Sequence, residues 1–400
     1  MKKFSCFVIW LIFLASVLAQ LPDQKFEIVE SIPDETKLDN PDIRNTPKVW
    51  LELINSAKKS IDIEQFYISN KQGSDLERVI QAIENRAEKG IRVRIIVESN
   101  MAQTYPKTIN RLKRHKNIKV RTIEAFGHSG GVQHAKFFII DREKVFLGSQ
   151  NFDWRALEHI HEIGLSIEHA DYAEQMSKIF ELDWQQSKTG ELAKTEKHGN
   201  KKKYQIEFND EKLVFLPTAS PYYNMPDNFY SDEKTIINLI DNAQDSIMIQ
   251  LLSYSPSDYT HYYHKIDNAI RGASNRGVKV KILLADWSTK EYEIPFLKSL
   301  QVLPNIDIKL STIPQHSSGY IPYARVEHCK YMLVDENLTW LGTSNWKKDY
   351  FYNSRNIGLI IENNRINKLI KRVFFKSWRG PYTNQVDITK NYTPKEYGVR

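Results

Sequence analysis

The chain repeats itself once, which restricts it to folds built from two similar halves. Leu53-Ile54-Asn55-Ser56-Ala57 returns as Leu239-Ile240-Asp241-Asn242-Ala243, 186 residues later. Gly90-Ile91-Arg92-Val93 returns as Gly277-Val278-Lys279-Val280 after 187, and His134-Ala135-Lys136 as His328-Cys329-Lys330 after 194. Three matches in one order, drifting by only a few residues, mark a duplication.

Within each copy, helix and strand patterns alternate. Trp50, Leu51, Leu53, Ile54 and Ala57 have helical spacing, and a β-branched run follows from Ile61. Leu76, Val79, Ile80 and Ile83 predict a second helix that ends near Gly90 and enters a strand over Ile91 to Val97. The second copy gives a helix around Ile236 to Ala243, a strand from Ile247, a helix near Ile266 to Ala273 and a strand from Val278. This alternation predicts an α/β fold with a largely parallel sheet covered by helices. We place the first half at 26–187, a lysine-rich solvated linker at 188–204, the second half at 205–385 and a tail at 386–400.

The residues able to do chemistry recur with the copies. Each half carries His-x-Lys-x4-Asp, then a Gly and an Asn: His134, Lys136, Asp141, Gly148, Ser149 and Asn151, and again His328, Lys330, Asp335, Gly342, Thr343, Ser344 and Asn345. His to Asn is 17 residues both times. Residues two apart on a strand face one side, so each His and Lys can enter one pocket. Such a set suits phosphodiester cleavage. One neutral histidine attacks phosphorus while a protonated one serves the leaving oxygen, and lysines with amide and hydroxyl donors hold the other oxygens. The scheme calls for no metal or other cofactor, and these positions lack the carboxylate clusters of a two-metal nuclease.

At the amino terminus, Lys2 and Lys3 precede 16 uncharged residues, Phe4 to Ala19, with Val17 and Ala19 placed for cleavage before Gln20. That is the layout of a secretory signal peptide over 1–19, and it falls short of the roughly 20 residues of a membrane span. Cleavage would leave Cys329 as the lone cysteine, so the core must hold without an internal disulfide. With 56 Lys and Arg against 49 Asp and Glu, the formal net charge is +7, compatible with an anionic substrate.

Taken together, these motifs resemble the phospholipase D superfamily, whose paired motif is written HxKxxxxD. The resemblance covers almost the whole chain beyond residue 19. Gly148-Ser149-Gln150-Asn151-Phe152-Asp153-Trp154 and His328-Cys329-Lys330-Tyr331-Met332 look most like the animal lysosomal branch, phospholipases D three and D four, which are 5′ exonucleases on single-stranded nucleic acid. The resemblance implies two phospholipase D-like halves, each a mostly parallel or mixed β-sheet flanked by helices, packed as a pseudo-dimer. It also implies a two-step reaction through a phosphohistidine. By position, His134 and His328 match the catalytic pair and Lys136 and Lys330 the phosphate clamps. Ser149 with Asn151, and Asn345 with Thr343 or Ser344, match the oxygen-binding turn; Asp141 and Asp335 match structural aspartates. Glu162 matches a carboxylate that orients the first histidine, whereas the equivalent place after His328 holds Asn356. On that basis His134 is expected to be the nucleophile, steadied by Glu162, with His328 as general acid; the reverse satisfies the same spacing. The scarcity of cysteine departs from the disulfide-bonded animal enzymes and leaves a periplasmic or secreted setting open beside an endolysosomal lumen. The expected partner is single-stranded nucleic acid or phospholipid, with no obligatory protein partner. The rival readings are a phospholipase D or phosphatidyl transferase and a catalytically dead binder. Trp154, Trp340 and Trp346 are candidate base-stacking residues.

Overall fold

The computed structural model describes residues 25–195, 201–257 and 262–398; the expected signal peptide lies outside the described residues. Two large sheets form the frame. In the first, neighbouring strands run Phe26–Ser31, Ile160–Glu168, Lys144–Gly148, Phe137–Ile140, Ser60–Gln65, Arg92–Glu98 and Ile118–Ile123. The second repeats this order with Glu211–Ser220, Asn356–Glu362, Leu338–Gly342, Tyr331–Val334, Ser246–Leu251, Lys279–Ala285 and Ile306–Ser311.

Both sheets are mixed, one of the two forms that the resemblance implied, and not largely parallel as the alternation of helix and strand alone predicted. Apart from two-residue ladders, the parallel pairing in each sheet is confined to the three strands joined by helical crossovers, Ser60–Gln65 with Arg92–Glu98 and Ile118–Ile123, and their counterparts. The catalytic-motif strands instead form a hairpin, Phe137–Ile140 with Lys144–Gly148, and so does Tyr331–Val334 with Leu338–Gly342. So short a connection can join only antiparallel neighbours. Asp141 opens the first hairpin turn at φ 55° and Asp335 the second at φ 52°.

Helices cover the outer faces where their apolar stripes predicted. Thr46–Ser56 and Asp75–Glu88 bury Trp50, Ile54, Val79 and Ile83 against the first sheet, and Ser74 caps the second of them by accepting the Glu77 N–H. Asp232–Asn242 and Lys265–Asn275 do the same on the second sheet through Ile236, Ile240, Ile266 and Ile270. Between the sheets lies one shared core. It takes Ile163 and Leu165 from the first sheet, Phe215 and Leu359 from the second, and the inner faces of helices Ala170–Thr189 and Asn364–Trp378. Tyr172 packs edge-on to Phe215, ring centres 5.2 Å apart, so a helix of one half seals onto a strand of the other. That helix runs to Thr189, and Gly190 at φ 75° ends it before the next strand starts at Tyr204. Among the described residues no helix is long and apolar enough to cross a membrane.

Candidate active site

Two extended segments carry the reactive residues. His134 and Lys136 stand just before the strand Phe137–Ile140, and His328 and Lys330 just before Tyr331–Val334. Each segment reaches out of its own sheet to the other half. The His134 N–H donates to the Arg355 carbonyl at 2.9 Å, and the His328 N–H to the His161 carbonyl at 2.8 Å. A short parallel ladder, Ile160 with Val326 and His161 with Glu327, fixes the second of these crossings.

The crossing decides which side chain meets which imidazole. Nδ1 of His328 lies 2.7 Å from Oε2 of Glu162, and Nδ1 of His134 lies 3.0 Å from Oδ1 of Asn356. The expectation that Glu162 steadies His134 is therefore corrected: backbone pairing across the seam sets each half's partner residue against the other half's histidine. Glu162 and Asn356 are fully buried, and the two histidines nearly so. Lys136 and Lys330, also fully buried, each donate through Nζ to the carbonyl of their own histidine, at 2.6 and 2.9 Å.

The turns after the hairpins close under these pairs. A Cβ on Gly148 would stand 2.7 Å from Gly164 Cα, and one on Gly342 3.2 Å from Gly358 Cα, so glycine is what allows the strands to meet. Ser149 Oγ accepts the Ile163 N–H at 3.0 Å; Thr343 Oγ1 accepts the Ile357 N–H at 3.1 Å and donates to Asn356 Oδ1 at 3.0 Å. These hydroxyls clamp the partner strand, which corrects their expected role on substrate oxygens. Ser344 is also corrected, because its hydroxyl donates to buried Asp232 at 2.6 Å. Asn151 and Asn345 are buried with Oδ1 atoms that have no hydrogen-bond partner among the described residues. Asp141 accepts the N–H groups of Lys58, Lys59 and Ser60, and Asp335 those of Gln244, Asp245 and Ser246.

Residues 50–184 and 236–378 both match the family described as cardiolipin synthase, PLD-like domain. The chain belongs to the phospholipase D superfamily. Its curated relatives carry two kinds of name. It is 31% identical to the 5'-3' exonuclease PLD3 of Macaca fascicularis, over 90% of this chain and 81% of that protein. It is 30% identical to Phospholipase D Y of Dictyostelium discoideum, over 90% and 91%. The solved phosphatidylserine synthase of Haemophilus influenzae shares the fold, with a TM-score of 0.63 at 14% identity over 85% of each chain.

Electrostatics at this superfamily site follow from burial. Desolvation, then the charges of Lys136 and Lys330, hold His134 well below the ordinary imidazole range, and His328 is lowered in the same way. Desolvation pushes Glu162 well above the usual carboxylate range and lowers Lys330 to about 8. Asn356 donates its Nδ2 to the Tyr350 carbonyl at 2.9 Å, so Oδ1 is the atom that faces His134. An amide oxygen only accepts, hence His134 must donate Nδ1–H and keep a lone pair on Nε2. Glu162 with a raised pKa can instead share its proton with Nδ1 of His328, which leaves Nε2 of that ring as an N–H.

Aromatic rings complete one wall. Phe66 and Tyr350 pack against His134 with ring centres 5.1 and 4.8 Å away, and Tyr67 stacks on Tyr105 at 5.2 Å. Sequence reading missed these, because no motif or repeat marks them. Of the three tryptophans, Trp340 and Trp346 are fully buried in the second core, which corrects their candidacy for stacking.

Proposed function

We propose that this phospholipase D-superfamily phosphodiesterase is a 5′ exonuclease on single-stranded DNA or RNA, acting through a phosphohistidine. The unequal partnering of the two histidines carries the mechanism. Nε2 of His134, with its lone pair free, attacks phosphorus; the P–N bond forms as the P–O bond to the leaving alcohol, the 5′ oxygen of the shortened strand, breaks. His328 gives that oxygen its Nε2 proton. Water then attacks the phosphohistidine, His328 takes a proton back, and the P–N bond breaks. Lys136 and Lys330 balance the charge that gathers on the non-bridging oxygens, and Asn151 and Asn345 border them. This keeps His134 as nucleophile and His328 as acid for a reason opposite to the one its spacing suggested.

The aromatic wall beside His134 supports a nucleic-acid substrate, since bases stack on such rings. So does similarity over nine-tenths of the chain to proteins named 5'-3' exonuclease PLD3, from which the polarity is taken. A second reading, hydrolysis or transfer of phospholipid head groups, is favoured by equal similarity to the Dictyostelium protein named Phospholipase D Y. The test is purified protein with end-labelled single-stranded oligonucleotides in EDTA, beside His134→Ala. Mononucleotides released from the 5′ end and lost in the variant support the proposal. An intact oligonucleotide, with choline released from phosphatidylcholine vesicles or head-group turnover in cardiolipin vesicles, would establish the second reading.

A further inference from the structure

A second cluster of ligand-type side chains lies on the same seam, outside the reactive set. Asp34 follows the first-half strand Phe26–Ser31, His159 precedes Ile160–Glu168, and His316 stands in the second-half loop that leads to His328. One ring nitrogen from each histidine and a carboxylate oxygen of Asp34 lie within 4.8 Å of one another. The two rings are in contact, with centres 4.9 Å apart.

We propose that Asp34, His159 and His316 form a binding site for a divalent transition metal, zinc by preference, that pins the loop before His328 to the first half. Mixed imidazole and carboxylate donors are what zinc accepts in tetrahedral sites. His159 is 6% exposed, and its buried Nδ1 has no hydrogen-bond partner among the described residues. An unpartnered ring nitrogen at that depth is costly unless something binds it. His316 Nδ1 accepts the Ser318 N–H at 3.2 Å and lies 2.8 Å from Ser318 Oγ, so a metal on Nε2 would move the ring proton to Nδ1 and make that edge a donor to Ser318 Oγ, the outer contact that a ligating imidazole keeps. Glu35 Oε1, 3.4 Å from His316 Nε2 and already accepting from Ser317 Oγ, adds negative charge beside the set. Ligand atoms around zinc stand about 3.3 Å apart, so from separations of up to 4.8 Å the set must contract by up to about 1.5 Å. Asp34 is exposed and His316 only half-buried, so both can move that far. The Arg325 guanidinium and Lys71 oppose a cation here, but Arg325 already donates to the Asp34 and Pro314 carbonyls, and Glu158 joins Glu35 in adding negative charge nearby.

The consequence is mechanical. His159 is three residues from Glu162, and the Arg325 N–H donates to the His159 carbonyl three residues before His328. A metal here would tie the segment carrying the general acid to the segment carrying its carboxylate, whatever the substrate.

The full chain, stripped with chelator and desalted, is titrated with zinc chloride; bound zinc is counted by elemental analysis and thermal unfolding is followed. One zinc per chain and a raised Tm are expected. Both should vanish in His316→Gln and fall at least tenfold in affinity in Asp34→Asn, while the zinc-free Tm of each variant stays at the wild-type value. His134→Ala should keep the zinc. Absence of binding, binding unchanged in His316→Gln, or binding lost in His134→Ala would each overturn the proposal. None of these readouts depends on cleavage of nucleic acid or lipid.

Discussion

At the scale of single residues, the site turns on what an amide and a carboxylate can each do with a proton. Asn356 can only accept from His134, whereas Glu162 can hold the proton it shares with His328. Replacing Glu162 by Gln should therefore cost the acid step most. We expect turnover of an ordinary phosphodiester to fall by about 10²–10³, and that of a p-nitrophenyl phosphodiester far less, since its leaving group needs no proton. Equal losses on both substrates would count against His328 as acid. A phospho-adduct mapped to His328 in quenched reactions would reverse the two roles. The two lysines set the alkaline side. Burial lowers Lys330 to about 8 and holds Lys136 well below the ordinary lysine range too, so both have lost charge above pH 8 and kcat/KM should have declined by the time pH passes 8. The reactive residues were legible in the sequence because duplication printed them twice at one spacing. Their pairing was not legible, since position 28 after a histidine says nothing about which half it will face. Ser344 and Thr343 were misjudged for a related reason: a hydroxyl beside a catalytic turn has backbone and buried carboxylates to satisfy before any substrate.

Elements are where the repeat shows its structural side. Asp141 and Asp335 each gather three successive backbone N–H groups at the start of a central strand. Those N–H groups belong to Lys58-Lys59-Ser60 and Gln244-Asp245-Ser246, which follow directly on the segments first seen to recur, so motif and repeat meet in one contact. Asp141→Ala should lower unfolding free energy by about 2 kcal/mol, as charge-assisted hydrogen bonds are lost. The shape of the pH–rate profile should stay the same, which denaturant titration and kinetics would check together. Helices and parallel strands were readable from periodicity, because each buries one stripe or one run. The hairpins were not, as four apolar residues such as Phe137 to Ile140 carry no sign of strand direction; in the structure the positive φ at Asp141 and Arg142 marks the turn.

Across the whole molecule, the halves are joined by more than a shared core. Arg355, fully buried, forms a two-pronged ion pair with Asp183 of the first-half helix and also donates to the Asn224 and Ser220 carbonyls. Asp183→Ala would leave that guanidinium buried without its counter-charge. We expect a loss of about 3–5 kcal/mol in denaturant unfolding. Neither half expressed alone should cleave substrate, and co-expression of 25–195 with 201–398 should restore activity. Activity from either piece by itself would show that the crossed contacts are dispensable. The crossing has one more consequence, for what this chain was free to become. Two identical copies of a half, assembled side by side, must offer both histidines the same neighbour, since one coding position cannot spell two residues. Joined in tandem, each position is written twice and can be edited alone. An acid and a nucleophile could thus be assigned by changing a single residue in one copy, an assignment that a symmetric pair must leave to the way its substrate binds.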